Sequence, residues 1–171
     1  MSLTSILRTS KEGKTVAEYT NPNALEVYNT IKAYLDEQEY SYSDEDGKIS
    51  LGFKGKDLSI DMNWVIDDRR EVLCLTSQIP VEIPEDKVID VIAAISAINY
   101  KLVLGSFVLL TGQGKVWFNL TAAFRECAVG TELIKDMLDC TYSYVDEYND
   151  KIEAIATGEL DANDFINELL G

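Results

Sequence analysis

Apolar and polar residues along this chain change period several times, and each change marks an element. After Asn21-Pro22-Asn23, where Asn can cap free N–H groups and Pro tolerates the first helical position, Leu25, Tyr28, Ile31 and Leu35 recur at helical spacing beside Val27 and Tyr34. The spacing predicts a first helix to about Gln38. From Tyr40 the period drops to two: Ser43-Asp44-Glu45-Asp46-Gly47 reads as a turn, and Ile49, Leu51 and Phe53 then alternate with polar or small residues. Gly55-Lys56-Asp57 leads into a second alternation, Leu58, Ile60, Met62 and Trp64, with Asp57, Ser59, Asp61 and Asn63 on its wet face. Asp67-Asp68-Arg69-Arg70 separates it from residues 72–79, apolar on both sides and so expected nearer the centre of a sheet. Short turns make the three an antiparallel meander.

Ile83-Pro84-Glu85-Asp86 opens a second helix, with Pro and acids in its first turn. Val88, Val91, Ile92, Ile95 and Ile98 supply one face, while Ile89, Ala93, Ala94 and Ala97 make much of the remainder apolar. A helix apolar nearly all round is either enclosed by its own domain or packed against another subunit. Residues 102–110 and 115–122 form a hairpin around Thr111-Gly112-Gln113-Gly114. Ile134, Met137, Leu138, Thr141, Tyr144, Val145, Tyr148, Ile152 and Ile155 then hold helical spacing for about six turns, ending at Gly158 in the place of a C-cap glycine. Opposite them stand Glu132, Asp136, Asp139, Asp146, Asp150 and Glu153. A tail helix follows, with Asp161 as its cap and Phe165, Ile166, Leu169 and Leu170 as its apolar side; it is either a docked piece of core or a hook for a partner.

The expected organisation is an arm over residues 1–21 holding at most one short strand, an α+β domain over 22–157, and the tail helix over 158–171. The domain should be a roughly five-stranded antiparallel sheet with helices packed on one face. Its core should include Leu25, Ile31, Leu35, Leu58, Ile60, Trp64, Leu73, Val91, Ile95, Phe118, Ile134 and Tyr148.

Charge changes the picture of what such a domain can bind. Among 171 residues, 15 Lys and Arg face 30 Asp and Glu, for a formal charge of −15, and there is no His. Nucleic-acid backbones and anionic membrane surfaces are therefore poor ligands, since both are held mainly by basic residues. From Glu126 onward 12 acids meet 2 lysines, so −10 of the charge lies in the last 46 residues. The three cysteines, Cys74, Cys127 and Cys140, are widely spaced without a C-x-x-C and fit neither a disulfide framework nor a zinc ribbon. They read as small core or half-buried residues, and with no long apolar run or leader at the N-terminus the chain is expected to be cytoplasmic.

Candidate chemistry is thin. Gly112-Gln113-Gly114-Lys115 lacks the other residues of a phosphate loop, and Asp44, Asp46 and Gly47 begin a calcium loop that strand residues then interrupt. Ser106, Cys127 and Cys140 have no histidine partner for nucleophilic catalysis. Asn119-Leu120-Thr121 spells a glycosylation sequon inside an expected strand. Asp57, Asp61 and Asp67 form the one carboxylate set from which a metal-dependent enzyme could be built, although alternating Asp, Ser and Asn is also how a solvated sheet face is written.

The order of elements is similar to the bacterial YbjN-like family, whose fold resembles the chaperones of type III secretion. The resemblance is carried by the passage from helix to strand over residues 31–42, the meander through Trp64 and Leu73 to Leu75, the segment Ile98-Asn99-Tyr100-Lys101-Leu102-Val103-Leu104-Gly105-Ser106-Phe107, and the return strand Lys115-Val116-Trp117-Phe118. It covers about residues 22–157. The resemblance implies an α+β, type III secretion chaperone-like fold and a role in protein binding, chaperone-like or regulatory, with no catalytic residue, metal or cofactor. The candidate contact residues, for another protein or a homodimer, are Val88, Val91, Ile92 and Ile95 on the second helix and Asp139, Asp146 and Asp150 on the long acidic one. Two alternatives stand beside this reading: an acidic inhibitor of the immunity type that steers basic partners, and the enzyme using Asp57, Asp61 and Asp67.

Overall fold

Asn21 accepts a hydrogen bond from the Asn23 N–H through its side chain (2.9 Å), and Pro22 takes the first position of α1 (Pro22–Glu37). The computed structural model describes residues 19–45 and 47–171, together with the backbone of two short strands, β1 (Arg8–Thr9) and β2 (Thr15–Val16). These two pair antiparallel, so the arm holds two strands where the sequence suggests at most one. The rest of residues 1–18 lies outside the described residues.

The main sheet contains β3 (Tyr42–Glu45), β4 (Lys48–Lys54), β5 (Ser59–Asp67), β6 (Val72–Glu82), β7 (Ser106–Leu110) and β8 (Lys115–Ala123). Its order is β3-β4-β5-β6-β8-β7, antiparallel throughout, with β6 in the interior as its two apolar sides suggest. The sheet has six strands rather than five. The extra one is β3, which runs into the stretch read as a turn: Tyr42 lies opposite Leu51 and packs on the core, and Asp44 lies opposite Ile49. An inward-facing Asp survives there because α1 supplies its partners. The Tyr28 hydroxyl donates to Asp44 Oδ2 at 2.5 Å and the Lys32 ammonium at 2.6 Å.

Glu85–Lys87 make a single 3-10 turn before α2 (Val88–Lys101), and α3 (Thr131–Thr157) and α4 (Ala162–Leu170) complete the chain. Alternate residues of the strands, among them Ile49, Met62, Trp64, Leu75, Phe107 and Phe118, form one buried cluster with the inner faces of the helices. The other sheet face carries Ser50, Asn63, Thr76, Gln78 and Asn119. The helix starts near Asn23, Glu85 and Thr131 agree with the sequence reading, but the hairpin's first strand begins at Ser106, because residues 102–105 make the connection from α2 and Gly105 takes a positive φ.

Two expected core residues need correction. Leu25 is 41% exposed: at about 100° per helical residue it falls off the line of Ala24, Ile31 and Leu35, which are buried. Leu58 is only half-buried, at the turn before β5. The tail helix is a docked element. Asp161 accepts from the N–H groups of Asn163 (2.8 Å) and Asp164 (3.2 Å), and Ala162 and Phe165 are buried, with α4 packed against α2.

Candidate protein-binding surfaces

The fold divides α2 into two apolar faces. Val91, Ala94, Ile95, Ala97 and Ile98 are buried, whereas Ile89, Ile92, Ala93, Ser96 and Tyr100 form an exposed stripe along the opposite side. Val91 and Ile95 are therefore core rather than contact residues, and Val88 is half-buried; of the four positions nominated on this helix, Ile92 alone is exposed, at 41%. The spacing 89, 92/93, 96, 100 is itself helical, so a second stripe was readable in the sequence but hidden by the first.

This stripe continues beyond the helix. Ile89 (74% exposed), Tyr100 (79%) and Val103 (85%), with Ile92 and Leu104, account for five of the eleven large apolar side chains exposed among the described residues, while Val108 and Leu110 lie on the open sheet face beside Trp117. The segment from 89 to 110 is held rigidly in two places. The Asn99 side chain donates to the Phe107 carbonyl (2.9 Å) and accepts from the Phe107 N–H (2.8 Å), occupying backbone groups on the free edge of β7. Gly105 has φ +71°, and a Cβ there would lie 2.4 Å from Phe118 Cζ. Asn99, Gly105 and Phe107 are residues of the resemblance segment, and this geometry gives their pattern a physical reason.

The acidic helix is less uniform than its spacing suggests. Asp139 is exposed, and Asp150 is half-buried and paired with Lys151 at 2.6 Å. Asp146 is not on the solvent face at all. It is 9% exposed, accepts from the Lys56 N–H (2.7 Å), and has the Lys56 ammonium 3.8 Å away. A Cβ on Gly55 would come within 2.6 Å of its Oδ1, so the Gly55-Lys56 turn fits over this carboxylate. Asp146 thus latches the β4–β5 turn to α3, a long-range role that no local pattern announces.

The carboxylates proposed for an enzyme do not meet. Asp57 precedes β5, Asp61 lies in the strand on the open face, and Asp67 ends it; the six strand steps from Asp61 to Asp67 alone span about 20 Å. Asp67 accepts from the N–H groups of Arg69 (3.2 Å) and Arg70 (2.9 Å) and from the Arg70 guanidinium (3.0 Å), which together hold its carboxyl below the usual range. Among the described residues no three acidic or cysteine side chains converge as ligands. Cys74 and Cys140 are half-buried, with thiols pushed up by burial; Cys127 is exposed, contrary to its expected place. The open sheet face does form a broad concavity of about 700 Å³, floored by Ser50, Asn63, Gln78 and Trp117, with Asp61 against Gly52.

A family model described as "Putative bacterial sensory transduction regulator", YbjN, matches residues 28–154. The chain belongs to the YbjN family. Among solved structures, this chain is similar to "YbjN, a putative transcription regulator from E. coli", with a TM-score of 0.58 and 16% identity over 76% of this chain and 92% of that one. It is similar to the same degree (TM-score 0.58, 14% identity, 76% of this chain and 96% of that one) to a chain of the ExsC-ExsE complex. The α+β architecture expected from the resemblance is thus the fold these proteins share. None of the curated proteins matches. Among the described residues no helix is long and apolar enough to cross a membrane.

Proposed function

We propose that this YbjN-family chain is a non-enzymatic, cytoplasmic protein-binding module, chaperone-like or regulatory, whose main contact surface is the stripe from Ile89 through Tyr100 to Leu104. The observation that carries the reading is that Ile89, Ile92, Tyr100, Val103 and Leu104, five of the eleven large apolar side chains exposed among the described residues, fall within residues 89–104 of a chain with a formal charge of −15. Large exposed apolar patches on soluble domains mark interaction sites. A surface so acidic elsewhere disfavours nucleic acid, so a regulatory role would run through protein contacts. The ExsC-ExsE structure is itself a complex of two proteins, which agrees with the proposal at the level of the fold. Two copies of the strip can also meet across a two-fold axis, the commonest route to a homodimer.

The test combines light scattering with affinity capture, using the wild type and an Ile89→Glu/Tyr100→Glu variant. Both side chains point outward, so the variant should melt as the wild type does. It should lose either its dimer or its captured protein. An unchanged mass and unchanged captured partners would place the contact surface elsewhere.

A further inference from the structure

The tail helix builds a second recess, partly from residues beyond the stretch that the family model matches. Between the last turns of α3 and α4 lies a groove of about 590 Å³. Tyr148, Leu160, Phe165 and Leu169 line it with apolar surface, and all four are buried or half-buried. Around them stand Glu147, Glu159 and Glu168, each exposed. Lys151, the cation at the rim, is already tied to Asp150 at 2.6 Å. Among the described residues no Lys or Arg forms an ion pair with the three glutamates.

We propose that this groove receives a short basic amphipathic segment of a partner protein, with apolar side chains on the floor and Lys or Arg against the rim. Two features select that occupant together. An apolar floor rewards burial of Leu-like side chains, and carboxylates beside it select an occupant that brings cations and reject an acidic one. A bare metal ion does not fit the same residues, because no three carboxylates converge there. The nine residues of α4 extend about 14 Å, enough to accompany two to three turns of a bound helix. Residues 147–171, which contain the groove, hold seven acids and one lysine, and this local charge of −6 would steer such a segment to this end of the molecule. None of the lining residues belongs to α2, so the groove stands or falls apart from the stripe described above.

Titration of the ¹⁵N-labelled full chain with a blocked 12-residue Leu/Lys amphipathic peptide tests it, beside a Leu/Glu peptide of the same pattern and a scrambled Leu/Lys peptide. Shift changes should centre on residues 147–169, and the Leu/Glu peptide should not bind. Affinity should fall about tenfold in Glu159→Lys/Glu168→Lys, the size expected when two rim contacts change sign. Leu169→Ala should weaken it without altering the salt dependence. Because both glutamates are exposed, an unchanged melting temperature will certify that the double variant is folded. Equal affinity in that variant, equal binding of the scrambled peptide, or shifts centred on Asp136 and Asp139 would overturn the proposal. So would a groove already filled, by a second copy, seen as a fall in mass in the double variant, or by the chain's own basic arm, seen as binding that appears only when residues 1–18 are removed.

Discussion

Asn99 shows how much one side chain can decide at the end of a helix. Its amide makes two hydrogen bonds to the backbone of Phe107, at 2.9 and 2.8 Å, so Asn99→Leu should lose both and leave buried backbone groups unpaired, costing about 2–4 kcal/mol in chemical denaturation. Gly105→Ala should be similarly harmful, by about 2 kcal/mol or more, because it demands positive φ from a residue whose Cβ has no room beside Phe118. The cluster of Tyr28, Lys32 and Asp44 yields a pH prediction. Burial, and then the hydrogen bond to Asp44, raise the Tyr28 hydroxyl pKa in the folded chain. Burial opposes the Lys32 ammonium, but Asp44 outweighs it and raises that pKa too. Both groups hold their protons longer when folded, so their stabilisation is complete below about pH 10 and is lost as pH rises beyond it. The denaturation midpoint should fall from about pH 10 upward, and Tyr28→Phe should flatten that fall.

At the scale of the element, α2 carries two stripes and α4 carries one. Ile95→Glu should unfold or strongly destabilise the chain, since it buries a charge without a partner, whereas Ile89→Glu should shift stability by no more than about 0.5 kcal/mol. Circular dichroism melts of the pair would distinguish the core face of α2 from its outer one. Phe165 is buried where α4 packs on the domain, and Phe165→Ala should cost about 3–5 kcal/mol if the tail helix belongs to the cooperative unit. A hook held loosely would lose its helix without moving the main transition. The missed strand, β3, also belongs to this scale. Three residues that spell a turn, Ser43, Asp44 and Glu45, join Tyr42 in a strand because β4 offers a free edge and α1 neutralises Asp44.

For the whole molecule, the formal charge of −15 opposes any pairing of two copies. If the outer stripe of α2 pairs two chains, raising salt from about 50 mM to about 500 mM should strengthen the association, because screening removes repulsion and leaves apolar burial in place. Sedimentation equilibrium at the two salt concentrations measures this, and weaker association at high salt would mean that the contact is held by charge. The amino-acid sequence by itself determined the order of the helices and of most strands, the caps at Asn21, Gly158 and Asp161, the acidity, and the segment from Ile98 to Phe107 that helps carry the resemblance. These are properties of neighbours in the chain, set by side-chain period, backbone conformation and charge. Only the tertiary structure decided which of the two apolar faces of α2 is core, that the tail helix is docked, and that Asp146 is a buried latch for a turn 90 residues away. It also decided that Asp57, Asp61 and Asp67 never meet. Each of these depends on which surface a distant element covers, and a local pattern records that a side chain is apolar or charged without recording what will be packed against it.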